Sequence, residues 1–181
     1  MNRYRRAAAA LALLLSGCNQ SNRANENAGS VPSVAVAHKE AERSATMAGM
    51  KRRATGHTEV KSYEPSAYDD VADGPSLLEI RVNETFTGDI EGEGTVRVIQ
   101  AARKDGSATL VGIERVRGAL GGRKGSFLLQ TTGTLSGKEL KADWSVVPGS
   151  GTGELNGLRG EGGFKAQLGE HGSTWLDYYF E

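Results

Sequence analysis

From Lys51 to the carboxyl terminus the chain repeats one pattern, a run of β-branched and alternating residues followed by a glycine-marked turn. The expected strands are Arg53–Ser62, Leu77–Thr87, Glu91–Ala101, Ala108–Gly118, Gly125–Leu135, Glu139–Val147, Leu155–Leu168 and Thr174–Phe180. The breaks between them fall at Pro65–Pro75, Gly88-Asp89, Lys104-Asp105-Gly106, Gly121-Gly122, Ser136-Gly137, Pro148–Gly153 and Gly169–Gly172. Regular strands cut by short turns predict an antiparallel meander that closes as a barrel or folds as a sandwich. Closure leaves no exposed edge, so the expectation is an all-β domain, a closed eight-stranded antiparallel meander barrel over residues 51–181. Glycine, at 25 of 181 residues, argues against a helical bundle, because each interior Gly costs a helix about 1 kcal/mol relative to Ala.

Period-two alternation gives the faces. In the second strand Leu78, Ile80, Val82 and Phe86 share one side, and Glu79, Arg81, Asn83 and Thr85 the other. In the seventh, Leu158, Phe164, Ala166 and Leu168 fall opposite Arg159, Glu161 and Lys165, with Gly160, Gly162 and Gly163 marking bends. An eight-stranded barrel leaves an interior that side chains can fill or that holds one small ligand.

The amino terminus reads as an address. Met1–Arg6 is basic, Ala7–Leu15 is apolar, and Leu15-Ser16-Gly17-Cys18 follows, the shape of a signal peptide over residues 1–17. The apolar run is too short to span a hydrocarbon core of about 30 Å. Its L-S-G-C ending resembles the lipobox of bacterial lipoproteins, in which the cysteine is acylated and becomes the first residue. Cys18 is the only cysteine in the chain, so no intrachain disulfide can form. Several acyl chains such as palmitate give stable membrane association, since each buried CH₂ contributes about 0.8 kcal/mol. Asn19 after the cysteine resembles an outer-membrane sorting signal, so the expected location is the cell envelope, at the outer membrane facing the periplasm. Residues 18–50, rich in Asn, Ala, Ser, Glu and Arg, are expected to form a flexible tether.

Chemical motifs are sparse. Formal charge is zero, and removing Arg3, Arg5 and Arg6 with the leader turns it acidic, unpromising for nucleic-acid binding. Neither Gly118–Gly125 nor Gly149–Gly153 has phosphate-loop spacing. His38, His57 and His171 are scattered, so no metal site, cofactor site or Ser-His pair is expected. What remains is a set of polar and aromatic residues embedded in strands: Glu114, Gln130, Trp144 and Tyr178. Glu114 and Arg115 are adjacent and point to opposite faces. Inside an apolar barrel Glu114 would have a raised pKa and could donate or accept a proton. Outside, it would be one more charge paired with an Arg on a neighbouring strand, the commoner situation.

Several blocks carry a resemblance: Phe86-Thr87-Gly88-Asp89-Ile90-Glu91-Gly92; Gly112-Ile113-Glu114-Arg115-Val116; Gly122-Arg123-Lys124-Gly125-Ser126-Phe127 with Gln130; Val146-Val147-Pro148-Gly149-Ser150-Gly151-Thr152-Gly153-Glu154-Leu155; and Leu158-Arg159-Gly160-Glu161-Gly162. From about Lys51 to Phe180 the chain resembles the bacterial family called domain of unknown function 3224. The resemblance implies a closed eight-stranded barrel similar to plant allene oxide cyclase, with room for an apolar cavity. It implies no activity and no catalytic residues. The lipoprotein leader and tether depart from the bare domains usual in the family.

Three functions follow as expectations. The first is a membrane-anchored module that binds a small hydrophobic ligand, lined by Gln130, Trp144 and Tyr178. The second is a cyclase or isomerase acting on a small apolar substrate, with Glu114 as its polar group. The third is a structural module that forms homo-oligomers through the barrel exterior.

Overall fold

The structure, a computed structural model, describes residues 49–181; the expected leader, Cys18 and nearly all of the tether lie outside them. The described residues form eight antiparallel strands in chain order: β1 (Arg52–Asp69), β2 (Ser76–Gly88), β3 (Ile90–Ala102), β4 (Ala108–Leu120), β5 (Arg123–Ser136), β6 (Glu139–Val146), β7 (Leu158–Gln167) and β8 (Gly172–Phe180). Each strand pairs with the next, and β1 pairs with β8, so the meander closes as a barrel. Closure runs from Arg52↔Tyr178 to Thr58↔Gly172, whereas β1 meets β2 from Gly56↔Gly88 to Asp69↔Leu77. The two flanks of β1 are thus used at different heights, which is the stagger that a tilted barrel requires.

Two boundaries differ from expectation by more than two residues. β1 continues through Pro65 to Asp69, where a break was expected. Beyond Thr58 the strand has only β2 beside it, and a proline is tolerated on such an edge. At the other boundary, Leu155 does not open the seventh strand. It ends a single 3₁₀ turn, Gly153–Leu155, and β7 begins at Leu158.

The reason lies in the V-V-P-G-S-G-T-G-E-L block. β6 pairs with β5 only from Leu129 to Ser136, leaving the first half of β5 without a strand on that flank. The block takes that place with side chains. The backbone N–H of Leu128 donates to Ser150 Oγ at 3.0 Å, that of Ser126 to Thr152 Oγ1 at 2.9 Å, and that of Lys124 to Glu154 Oε2 at 2.7 Å. Two backbone bonds, Val147 N to Leu128 O and Thr152 N to Ser126 O, complete the attachment. The grip brings Leu155, fully buried, into the barrel's end among Phe127, Leu129 and Leu158.

That end is packed solid by a cluster that also includes Phe86, Ile90, Val116, Leu120, Leu176, Tyr178 and Phe180. The strands approach closely here. Gly92 and Gly118 face each other across β3 and β4 with φ of +136° and +154°, and a Cβ on either would lie about 2 Å from the partner strand's carbonyl oxygen. Only glycine accepts both that φ and that contact.

If side-chain acceptors complete this edge, replacing Thr152 with Val strands the N–H of Ser126. Urea unfolding of Thr152→Val should show a loss of about 1–2 kcal/mol with an unchanged m-value.

Candidate functional site

Alternation divides the inside of the barrel into layers. On β4, Val116 and Leu120 belong to the packed end, while Leu110 lines open space. β5 follows the same rule, with Phe127 and Leu129 packed and Leu135 lining the space. On β2, Phe86 is packed and Ile80 and Val82 are lining residues. The inward residues at the boundary are therefore Glu84, Glu114, Thr131 and, on β6, Trp144. They form the floor of a cavity of about 480 Å³. Trp144 is the seam: its ring lies 6.1 Å from that of Phe86 on the packed side and 5.6 Å from that of Phe164 in the wall.

The walls are apolar, with Ile80, Val82, Val96, Val98, Leu110 and Leu140 among them, and the mouth is edged by Tyr63, Gln100, Leu168 and Glu170. No Lys, Arg or His is among the lining residues. The floor differs in kind. Glu114 is only 2% exposed and Thr131 4%. Apart from contact between the two glutamates, Glu114 Oε1 and Thr131 Oγ1 have no hydrogen-bond partner.

Glu84 and Glu114 sit on β2 and β4, two strands apart, and meet because β3 carries Gly94 between them. Gly94 pairs with Glu84 on one side, and its neighbour on the same face, Val96, pairs with Glu114 on the other. A Cβ at Gly94 would stand 2.1 Å from Glu114 Oε1, 2.8 Å from Phe86 Cε2 and 3.0 Å from Glu84 Cγ. The missing side chain is what lets the carboxyls come together.

Burial raises the pKa of Glu114 well above the ordinary carboxylate range, and the charge of Glu84 and the hydrogen bond with it add to the rise. Burial raises Glu84 as well, opposed by the hydrogen bond from Glu114. Glu114 therefore keeps its proton and donates it to Glu84. The two titrate as a unit, holding one proton more firmly than either would alone. Among the described residues no group of three His, Cys, Asp or Glu side chains could hold a metal ion.

Residues 54–178 match the family described as protein of unknown function (DUF3224). The chain belongs to that family. A solved structure from the DUF3224 family, a protein of unknown function from Shewanella oneidensis MR-1, is similar at 32% identity and a TM-score of 0.62. The likeness covers 73% of this chain and 99% of that one. No match was found among curated proteins.

Of the residues singled out in the sequence, this DUF3224 barrel brings Glu114 and Trp144 together at the cavity floor. Glu114 is inside, not on the outer face paired with an Arg; that arrangement belongs to Glu79, whose Oε1 accepts from Arg97 Nη1 at 2.6 Å. Gln130 is not in the cavity. It stands between inward Leu129 and Thr131, so it points outward, beside Asp143, Ser145 and Glu161 in a shallow surface depression. Tyr178 is buried in the packed end, away from the cavity. Glu84, Gly94 and Thr131 were not singled out. For Glu84 the signal was present, since it shares the parity of Leu78, Ile80, Val82 and Phe86.

Two outcomes follow for the carboxyl pair. Gly94→Ala forces Glu114 aside and should cost about 1–3 kcal/mol in urea unfolding, a loss partly relieved in the Gly94→Ala, Glu114→Ala double variant. The second concerns pH. Because the folded-state pKa of Glu114 is raised, the native chain binds more protons than the unfolded one above the ordinary glutamate value of 4.5. The contribution of Glu114 to stability should therefore be fully present below that value and be lost as pH rises through the folded-state pKa, with Glu84 contributing in the same sense. Urea unfolding across that range should show a flatter decline for Glu114→Gln.

Proposed function

We propose that the barrel binds a small, mainly apolar molecule, and that the chain carries it in the bacterial envelope, held to a membrane through lipid on Cys18. The observation that carries the binding reading is the half of the barrel that side chains leave empty. Its volume of about 480 Å³ lies within the range of about 300–1,000 Å³ common to small-molecule sites. Apolar walls with a few converging polar groups are the usual composition of such sites. A barrel built for stability alone would gain by filling this space, because cavities cost stability in proportion to their volume.

The anchoring part rests on the leader and on Cys18 being the chain's one thiol. A Cys18→Ala variant expressed in a Gram-negative host should no longer incorporate labelled palmitate and should leave the membrane fraction. Retention of the variant in membranes would count against the anchor.

Binding is tested with Nile red, a neutral apolar dye whose emission shifts blue in a dry site. The full chain should bind it, and Ala166→Trp, which fills the cavity from its wall, should weaken binding by about tenfold or more while leaving the unfolding free energy within about 1 kcal/mol of the parent. Equal binding by parent and variant would place the dye elsewhere and remove the support.

The carboxyl pair favours a second reading, an enzyme of cyclase or isomerase type. A carboxyl that keeps its proton beside one that accepts it can act as acid and base toward one bound substrate. Solvent-deuterium exchange into an apolar ketone such as 2-octanone would reveal it, with exchange lost in Glu114→Gln and Nile red binding kept.

A further inference from the structure

The polar floor narrows the chemistry of what the cavity takes. We propose that its ligand is an organic cation, with a protonated amine seated between Glu84, Glu114 and Thr131 and an apolar body lying along the walls. This inference rests on the binding reading above and adds to it the charge of the ligand.

Three observations point the same way. Every ionisable carboxyl facing the space is acidic without a basic counterpart: Glu84 from β2, Glu114 from β4 and Glu170 from the β7–β8 turn, with Tyr63 of β1 the remaining titratable lining residue. Outward carboxylates such as Asp177 and Glu79 have an arginine beside them, Arg53 and Arg97, whereas no base lines the space that Glu84 and Glu114 face. The second observation is the unused capacity of the floor. Glu114 Oε1 and Thr131 Oγ1 are buried without any partner beyond the carboxyl pair itself. An ammonium group presents three N–H donors and no acceptor, the complement of two carboxyls and a hydroxyl. The third is Gly94, whose missing side chain leaves the carboxyls in contact at the bottom of the cavity.

Alternatives of the same size fit worse. A carboxylate ligand would bring a further negative charge to a floor that already holds a carboxyl pair, where like charges in a low dielectric repel strongly. An alcohol would satisfy one acceptor and leave the charge uncompensated. An ammonium supplies both donors and charge, and its arrival favours the ionised form of the pair. Affinity for an amine should consequently rise with pH as the pair sheds its proton, and fall again once the amine itself is neutral.

The experiment is displacement of Nile red from the full chain by three molecules with one tail: octylamine, octanol and octanoate. Octylamine should compete at about tenfold lower concentration than octanol, and octanoate should be the weakest by about tenfold more. In Glu84→Gln and Glu114→Gln the spread between the three should shrink to about threefold or less. The order in the parent chain needs no variant to fold. Octanoate matching octylamine, or an unchanged order in both Gln variants, overturns the cation while leaving the cavity as a binding site. Failure of the parent to bind Nile red at all overturns the binding reading and this inference with it.

Discussion

Pairing of β1 with β8 is the contact on which the rest of the domain depends. It joins strands separated by more than a hundred residues, and it does so over only seven positions, Arg52 to Thr58. Ala54 among them belongs to the packed cluster, while Thr58 and its partner Gly172 at the far end line the cavity. Above them β1 runs on with β2 alone. The barrel is therefore zipped shut from the packed half up to the cavity's lower wall, and beyond Thr58 the cavity is lined by Val60 and Tyr63, where β1 is paired with β2 alone.

Strand count, order and handedness of faces were legible from the sequence because period-two patterning and glycine turns are local signals. Ends of strands were less so. Pro65 reads as a break, and only the absence of a second neighbour on β1 explains why it is not. The block from Val146 to Leu155 reads as a loop followed by a strand, yet its Ser, Thr and Glu side chains complete the hydrogen bonding of β5, a relation between segments some 26 residues apart that no local pattern reveals.

The site was half visible. Glu114 reads as a charge in a strand, but a single strand does not say which face is inside. Register across β2, β3 and β4 decides it, and register also brings Glu84 to the same place through Gly94. Gln130 misled for a related reason. The preceding Phe127-Leu128-Leu129 run is apolar on both faces, which hides the parity that sends Gln130 outward. Trp144 lines the cavity because its large ring spans from the packed half to the hollow one, whereas Tyr178, an aromatic residue of similar promise in the sequence, is used up in the packing.

The block that grips β5 has a mechanical meaning for traffic through the molecule. It seals the lower rim with Leu155, and the final strand ends there too, where Glu181 N donates to Gly157 O. Both covalent exits of the domain, at Arg52 and at Glu181, thus leave from the sealed pole. Whatever is joined to either end therefore starts from the pole opposite the cavity's mouth, and under the proposed anchoring the ligand's route and the tether would lie at opposite ends of the barrel.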